Sequence, residues 1–553
     1  MAAFLFVFIV ILIFVFYNFH YKRKGLPPGP IPLPFFGNSL TLMRHPPGED
    51  IFLEWRQRFG PIFTFWLGET PVICIAEYNK IVEYYQRGGE AFAGRHAIEA
   101  YERIIRGGIY GVLQTEGEIW REHRRFVLHV FRDFGVGKNI MQERILTEIS
   151  EMFKLLDLEI NEQQKLNEIE IDIVKHLERA ISSIINVLLV GFRFDEEHEQ
   201  LYHQLNNQLW RFNNRMQSFA TNLFMWRPDI FKSFPLCQDA YNLVKNTHKC
   251  FFGFFQQQID KHLKELMLNK EKLNNSSILP PPSDFMEAFL REKLQCDESV
   301  ENGREDVFSY EHLKAILFDL WISGQETTTT ALSWGIALLL HNPSVMEKVQ
   351  EELDNKFGNE QELVSWSDRS SLPYTCAVVN EILRVGNVVA QDFPHRMMKD
   401  TKVDKWLLRK GQPIVAQISV VLVDPNIFSD PKSFRPERFL DKNGNLLKSD
   451  HLIPFGLGKR QCLGESLARM ELFLFFANIF NRYMISPGDS FPSLKREIGI
   501  PVLCPKFTCR VIKRWKKNNS NIKLIFIFSV KFGWDLILKV HRYKVIDRST
   551  ATE

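Results

Sequence analysis

The sequence predicts a mainly α-helical protein with small β-sheets: one large domain carried behind an N-terminal membrane anchor. Three observations predict it. Apolar residues recur at helical spacing over most of the chain. Strand-like pieces are few and short. The first residues, AAFLFVFIVILIFVFYNFHY, form an apolar run of the length that spans a bilayer.

In chain order, residues 1–24 are expected to be a transmembrane signal anchor with a basic flank. No basic residue precedes the apolar run, no small-residue cleavage site follows it, and Lys22, Arg23 and Lys24 come straight after. A removed signal peptide, the competing reading, should carry both missing features. Basic flanks stay on the cytosolic side, which places the bulk of the chain there. Residues 25–38, GLPPGPIPLPFFGN, form a proline-rich connector that reads as a stiff spacer or a generic linker. Proline lacks the amide donor and disfavours helix in the residue before it. The large domain is expected over 39–515. Its strand-like pieces are PIFTFWL, PVICIAE and the run around Pro413 to Val423. EILRV near Glu381 and the long run SLARMELFLFFANIFNRY after Cys462 read as helices. A loop is expected near Glu271 to Asp284. Asn274 and Asn275 there sit in N-x-S patterns, and a cytosolic domain would carry no glycan on them. From Lys516 the chain turns rich in Lys, Asn, Ile and Phe with little amphipathic order, so 516–553 is set apart as an atypical tail with no function assigned.

A net charge of +3, with no basic run, argues against a nucleic-acid partner. The eight cysteines have neither paired spacing nor a CxxC zinc pattern, which reads as reduced thiols in a cytosol-facing protein. Cys462, in FGLGKRQCLGES, stands apart. A cysteine is a useful ligand as thiolate, and the helix starting after Cys462 favours negative charge at its N-terminus. Gly458 and Gly464 let the backbone turn sharply and approach a flat surface. Arg460 offers a charge-assisted donor to a carboxylate, and Phe455 an apolar wall. One thiolate, a flat partner and an anionic edge describe haem held by cysteine. An inert cysteine in a glycine loop is the competing reading.

The complete pattern F-x-x-G-x-R-x-C-x-G, carried by Phe455, Gly458, Arg460, Cys462 and Gly464, resembles that of the haem-thiolate monooxygenases, the cytochromes P-450. The chain looks most like the membrane-anchored animal microsomal enzymes of the family-two type, over roughly Leu26 to Arg514. The resemblance implies a cytochrome P-450 fold and haem b (iron protoporphyrin IX) with Cys462 as axial ligand. It implies a structural ion cluster of Glu381 and Arg384, from EILR, with Arg438, from FRPERF. Trp120, Arg124, Arg95 and His395 match positions that reach the haem propionates, as does Arg460. LWISGQETTTTAL matches the oxygen-side helix, with Gly324 leaving room over a flat cofactor, Glu326 and Thr327 delivering protons, and Thr328 alongside. Ser323 stands where the family pattern has alanine or glycine. A threonine bonded back to its own helix is the alternative for Thr327.

The implied reaction inserts one atom of O2 into a small lipophilic substrate: xenobiotic, fatty acid or steroid-like. Electrons would come from NADPH through NADPH-cytochrome reductase, with cytochrome b5 a second candidate partner. The implied location is the endoplasmic reticulum membrane. Arg121, Lys138 and Lys459 are candidate basic contacts for the reductase or ordinary surface charges. By resemblance, the pocket would be lined by Arg95 to Gly117, Phe212 and Phe219, Phe318 and Asp319, Val388 to Phe393, and Ile498–Gly499. Asp319 or Asp392 is a candidate selector for a cationic substrate, with a solvent-facing carboxylate as the alternative. Leu223 to Pro235 is a candidate for dipping into the bilayer, or an ordinary loop. Two rival functions are a reductase-independent haem-thiolate isomerase or dehydratase and a non-catalytic haem-binding protein.

Overall fold

The computed structural model describes residues 4–6, 13, 16–137, 139–165, 170–215, 218–272, 280–298, 306–358, 362–497, 499 and 501–514. It is built mainly of helices. They include α1 (Glu49–Phe59), α2 (Glu99–Ile105), α3 (Gly117–Asp133) and α4 (Asn139–Lys165). Next come α5 (Ile173–Val190), α6 (Glu199–Arg215), α7 (Phe219–Trp226), α8 (Gln238–Lys272) and α9 (Phe285–Glu298). The last four are α10 (Tyr310–His341), α11 (Pro343–Phe357), α12 (Pro373–Gly386) and α13 (Glu465–Arg482).

The longest fully described core helix is α10, and its sequence explains both ends. The Ser309 side chain accepts from the His312 N–H, a cap that satisfies one orphan donor. At the other end Pro343 follows Asn342 and starts α11, because proline cannot continue the α10 ladder. Most of α10 is buried, and it packs against α5, α8, α12 and α13. A helix that is apolar nearly all round belongs in the middle of a domain.

The main sheet has the order β1-β2-β8-β5-β3. Its strands are β1 (Ile62–Leu67), β2 (Thr70–Ile75), β3 (Gly94–Arg95), β5 (His395–Arg396) and β8 (Pro413–Ala416). β1 and β2, the PIFTFWL and PVICIAE pieces, form an antiparallel hairpin with Phe65 opposite Val72. β3 pairs with β5 so that Arg95 lies opposite His395. Register alone therefore brings together two residues 300 positions apart. A second sheet joins β4 (Glu170–Ile171), β10 (Cys509–Lys513) and β9 (Tyr483–Pro487), and β6 (Thr401–Val403) pairs with β7 (Trp406–Leu408).

One expected strand is shorter than its sequence implies. β8 stops at Ala416, opposite the last residue of β2, and Ile418–Leu422 is a short buried helix. An apolar run fits a buried strand and a buried helix equally well, so periodicity could not separate them.

Most of the expected anchor, the tail after Trp515, Lys138, Ile498, and Asn274 and Asn275 lie outside the described residues. Among the described residues, no helix is long and apolar enough to cross a membrane.

Candidate active site

The cysteine loop folds back on itself. The Cys462 N–H donates to the Phe455 carbonyl at 3.0 Å, and the Gln461 N–H to the Gly458 carbonyl at 3.2 Å. Gly458 makes the turn at φ +84°, and a Cβ there would run into the Tyr85 carbonyl oxygen. Its close approach is thus to the protein's own backbone. Around Gly464 a Cβ would meet nothing. This residue contributes its N–H, which bonds the Cys462 sulfur, and it caps α13. The Phe455 ring lies against the Arg469 guanidinium, 4.8 Å from its centroid.

Of the eight cysteines, Cys462 alone is exposed. Its neighbours are half-buried, so the exposure is to a recess in the protein rather than to open bulk water. That recess raises the Cys462 thiol pKa through burial, against the Gly464 N–H and Arg124, which lower it. A thiol so placed becomes thiolate when a metal cation takes the place of its proton.

Three arginines gather near this loop. Arg460 donates to the carbonyls of Ala93 at 2.9 Å, Val112 at 3.3 Å and Thr115 at 2.6 Å. Its guanidinium lies 3.9 Å from the Trp120 ring centroid. Arg95 donates to Leu113 O at 3.1 Å and Phe393 O at 2.9 Å, and Arg124 to Gln461 O at 2.7 Å. Among the described residues, none of the three forms an ion pair with a carboxylate. Burial, Arg95 and Arg124 push the Arg460 guanidinium down to about 8. Guanidinium keeps its proton in proteins, so that cost is relieved by an anion. A flat group with two carboxylates on one edge fits this set of donors.

His395 is buried beside them. Its Nδ1 is 2.6 Å from the Phe92 carbonyl, and its Nε2 is 3.3 Å from Asp392 Oδ2 without the alignment of a hydrogen bond. Burial and Arg95 lower its pKa, so it is a neutral ring near the arginines.

The carboxylate–arginine cluster joins α12 to the segment 422–438. Arg384 Nε and Nη2 grip the two Glu381 oxygens at 2.8 Å each. Arg438 Nε adds a bond to Glu381 at 3.0 Å, and the Arg435 N–H one at 2.9 Å. Arg384 also donates to the carbonyls of Leu422, Pro431 and Ser433, which staples the loop before the cysteine to α12.

On α10, Ser323 is exposed and Thr327 half-buried within a mostly buried helix, with Ile322, Gly324 and Glu326 also half-buried beside them. Four residues apart, they share one face. Thr327 Oγ1 donates to Ser323 O at 2.6 Å, and Ser323 Oγ to Asp319 O at 2.6 Å. The back-bonded alternative for Thr327 is therefore present, and it leaves the hydroxyl oxygen free to accept. Gly324 does not border that face. A Cβ there would meet Ile185 of α5 at 2.7 Å, so the missing side chain serves helix packing. Thr328 turns the other way and donates to Glu471 Oε2 on α13 at 3.1 Å.

Burial and the like charge of Glu178 push the Glu326 carboxyl up to about 8. Burial alone pushes Glu471 to the same value, against the Thr328 bond. A carboxyl raised from about 4.5 to about 8 binds more proton in the folded state than in the unfolded state between those values. Stability contributed below that window is thus lost as pH climbs through it. Glu471→Gln keeps an acceptor for Thr328 and removes the titration. In urea melts, the wild-type chain should lose a few kcal/mol more than Glu471→Gln between about pH 5 and 8. Equal losses would show that Glu471 ionises normally.

Two expected pocket residues serve elsewhere. Phe318 is buried against Phe251 and Phe252 of α8, because it lies on the far side of α10 from Ser323. Asp319 is neither solvent-facing nor free for a cation. It accepts from Arg106 Nη2 at 2.9 Å and from the N–H groups of Val112 at 3.0 Å and Leu113 at 2.9 Å. Arg106 also bonds Glu102. Asp319 thus holds the loop whose carbonyls receive Arg95 and Arg460. Sequence offered no signal for this latch, since Arg106 lies 213 residues away. Asp392 is mostly buried; burial raises its pKa, but His395 and Arg95 outweigh that and lower it.

Comparison with known proteins agrees with this geometry. The family description "Cytochrome P450" matches residues 27–507. The chain is 33% identical to cytochrome P450 2B4 of Oryctolagus cuniculus, covering 88% of this chain and 94% of that protein. Cytochrome P450 2A5 of Mus musculus is 34% identical with the same coverage, and 2H1 of Gallus gallus 33% over 83% of this chain and 87% of its own. Similarity at that level over nearly the whole domain, together with the cysteine loop and its buried arginines, establishes that the chain belongs to the cytochrome P450 family and is a haem-thiolate monooxygenase.

Proposed function

We propose that Cys462 would hold the haem iron through its thiolate and that the enzyme hydroxylates small lipophilic molecules with electrons from NADPH through a reductase. The observation that carries this is one exposed thiol at a helix N-terminus beside three arginines, Arg95 and Arg460 buried and Arg124 half-buried, that form no ion pair with a carboxylate among the described residues. Arg95, Arg124 and Arg460 would take the two propionates, and Trp120 holds Arg460 flat by stacking. When bound, the haem supplies the oxygen-activating chemistry, in which the thiolate pushes electron density toward the iron.

The chain's own residues handle positions and protons. Gly464 N–H bonds the sulfur and tunes its basicity. His395 stays neutral and packs beside the propionate arginines. The Glu381, Arg384 and Arg438 cluster fixes the loop that presents the cysteine. On α10, Glu326 keeps its proton near neutral pH and so is the general acid. Thr327, whose own hydrogen goes to Ser323 O, presents an acceptor oxygen on the same side of the helix as Ser323. This pairing favours the monooxygenase over the isomerase, which consumes no protons.

Lipophilic substrate and membrane location are supported by one surface. Ile31, Leu33 and Phe35 are exposed near Gly37, which bridges to Leu67. Trp226, at the end of α7, packs over Gly68, and Phe219, Ile230, Phe234 and Leu236 are exposed around it. A contiguous apolar surface of this kind fits a lipid interface. With the anchor of residues 1–24, the linker of 25–38 and the domain from 39, we place the protein on the cytosolic side of the endoplasmic reticulum membrane. Lys459 is exposed and available to an acidic reductase or cytochrome b5, whereas Arg121 is paired with Glu90 and Glu118.

Thr327→Ala tests the assignment. NADPH and O2 consumption should continue while hydroxylated product falls about tenfold or more, with peroxide made instead. Unchanged coupling of product to NADPH would remove Thr327 from the proton path.

A further inference from the structure

A carboxylate borders the arginine set. Glu116 stands just before α3, yet its side chain makes no cap bond to that helix. It turns instead to the strands. Its Oε2 accepts from the Arg95 N–H of β3 at 3.1 Å and from Arg396 Nε of β5 at 3.2 Å, and Arg396 Nη2 bonds Oε1. Gly94, opposite Arg396 in the register, leaves room for this contact. A Cβ there would stand 3.1 Å from Glu116 Oε2 and 2.5 Å from the Arg396 carbonyl oxygen. Three elements thus meet at one carboxylate. They carry Arg95 on β3, His395 on β5, and Trp120 and Arg124 on α3.

The same carboxylate sits beside the anchor points of Arg460. That guanidinium donates to the carbonyls of Ala93 and Thr115, the chain neighbours of Gly94 and Glu116. The Glu116 charge acts on it. A bare carboxylate at this place would compete for the arginines and repel any other carboxylate brought to them. Among the described residues, Arg396 is the ion-pair partner of Glu116, whereas Arg95, Arg124 and Arg460 have none.

We propose that Arg396 and Glu116 are positioning residues for the haem edge. Glu116 pins β3 and β5 to the start of α3. Arg396 neutralises Glu116, which leaves Arg95, Arg124 and Arg460 free to take the two propionates. The inference rests on the propionate role given above to those three arginines. Sequence offers no signal for the pair, whose members lie 280 residues apart.

The test is haem transfer from the ferric holoenzyme to excess apomyoglobin at low salt, with the haem reduction potential measured on the same samples. Arg396→Gln bares the Glu116 charge, so haem should leave about fivefold faster and the potential should fall. Arg396→Lys keeps the charge and should stay near wild type. Glu116→Gln keeps an acceptor for the Arg95 N–H, leaves Arg396 unpaired and should raise the potential. Combining Glu116→Gln with Arg396→Gln should return both readings toward wild type. The paired side chains are 39% and 25% exposed, so added salt should narrow the differences. A role confined to packing would move the potential the same way in both single variants, with no recovery in the double, and that result overturns the proposal. Arg460→Gln is the reference. If it sheds haem faster while Arg396→Gln holds haem like wild type, the pairing falls. If Arg460→Gln itself holds haem like wild type, the propionate role falls instead.

Discussion

Cys462→Ala abolishes the strongly red-shifted Soret band of the reduced, carbon monoxide-bound protein and takes hydroxylation to background. That spectrum reports a thiolate on iron, so it reads the ligand rather than the fold. No other cysteine can substitute. Cys74 and Cys509 are buried in β2 and β10. Burial pushes the thiols of Cys376, Cys504 and Cys509 up to about 12, out of reach of thiolate chemistry at neutral pH. Arg124 and Gly464 N–H would face an uncharged methyl in the variant, and haem retention should fall as well. Far-ultraviolet circular dichroism should stay helical, because α13 starts after the substituted residue. A surviving red-shifted band would mean that another side chain holds the iron.

Glu381→Ala leaves little folded, haem-loaded protein at 37 °C. Glu381 and Arg384 are wholly buried, and the carboxylate accepts from two guanidiniums and a backbone amide. Its removal strands the positive charge of Arg384 inside the domain. An uncompensated buried charge of this kind costs about 3–5 kcal/mol. A typical domain has about 5–15 kcal/mol to lose. Urea titration of the purified chain should show the drop, and the thiolate spectrum should fade in parallel because Arg384 also holds the Leu422, Pro431 and Ser433 carbonyls. Replacing Glu381, Arg384 and Arg438 together by apolar residues should cost less charge energy than the single change, since no lone charge is left. A Glu381→Ala protein within about 1 kcal/mol of wild type would show that the cluster is not structural.

The helical character of the domain, the β1–β2 hairpin and the local geometry of EILR were legible because each depends on residues a few positions apart. The same holds for the cysteine loop, whose turn, cap and thiol lie within ten residues. Reading failed where a neighbour comes from afar. Gly324 was expected to make room for a cofactor and instead receives Ile185. Phe318 lies on a face of α10 that α8 covers, and Asp319 is engaged by Arg106 and by two amides of a distant loop. Glu178 and Glu471 carried no motif at all.

By itself, then, the sequence determined that the domain is mainly helical, where the thiol stands relative to a helix start, and which charges sit on a common turn. Those are properties of backbone periodicity and of covalent neighbours. The tertiary structure alone decided which buried acid meets a cation, a threonine or another acid. Side-chain burial can be read from a single helix, but the chemistry opposite it is set by how helices hundreds of residues apart come to pack.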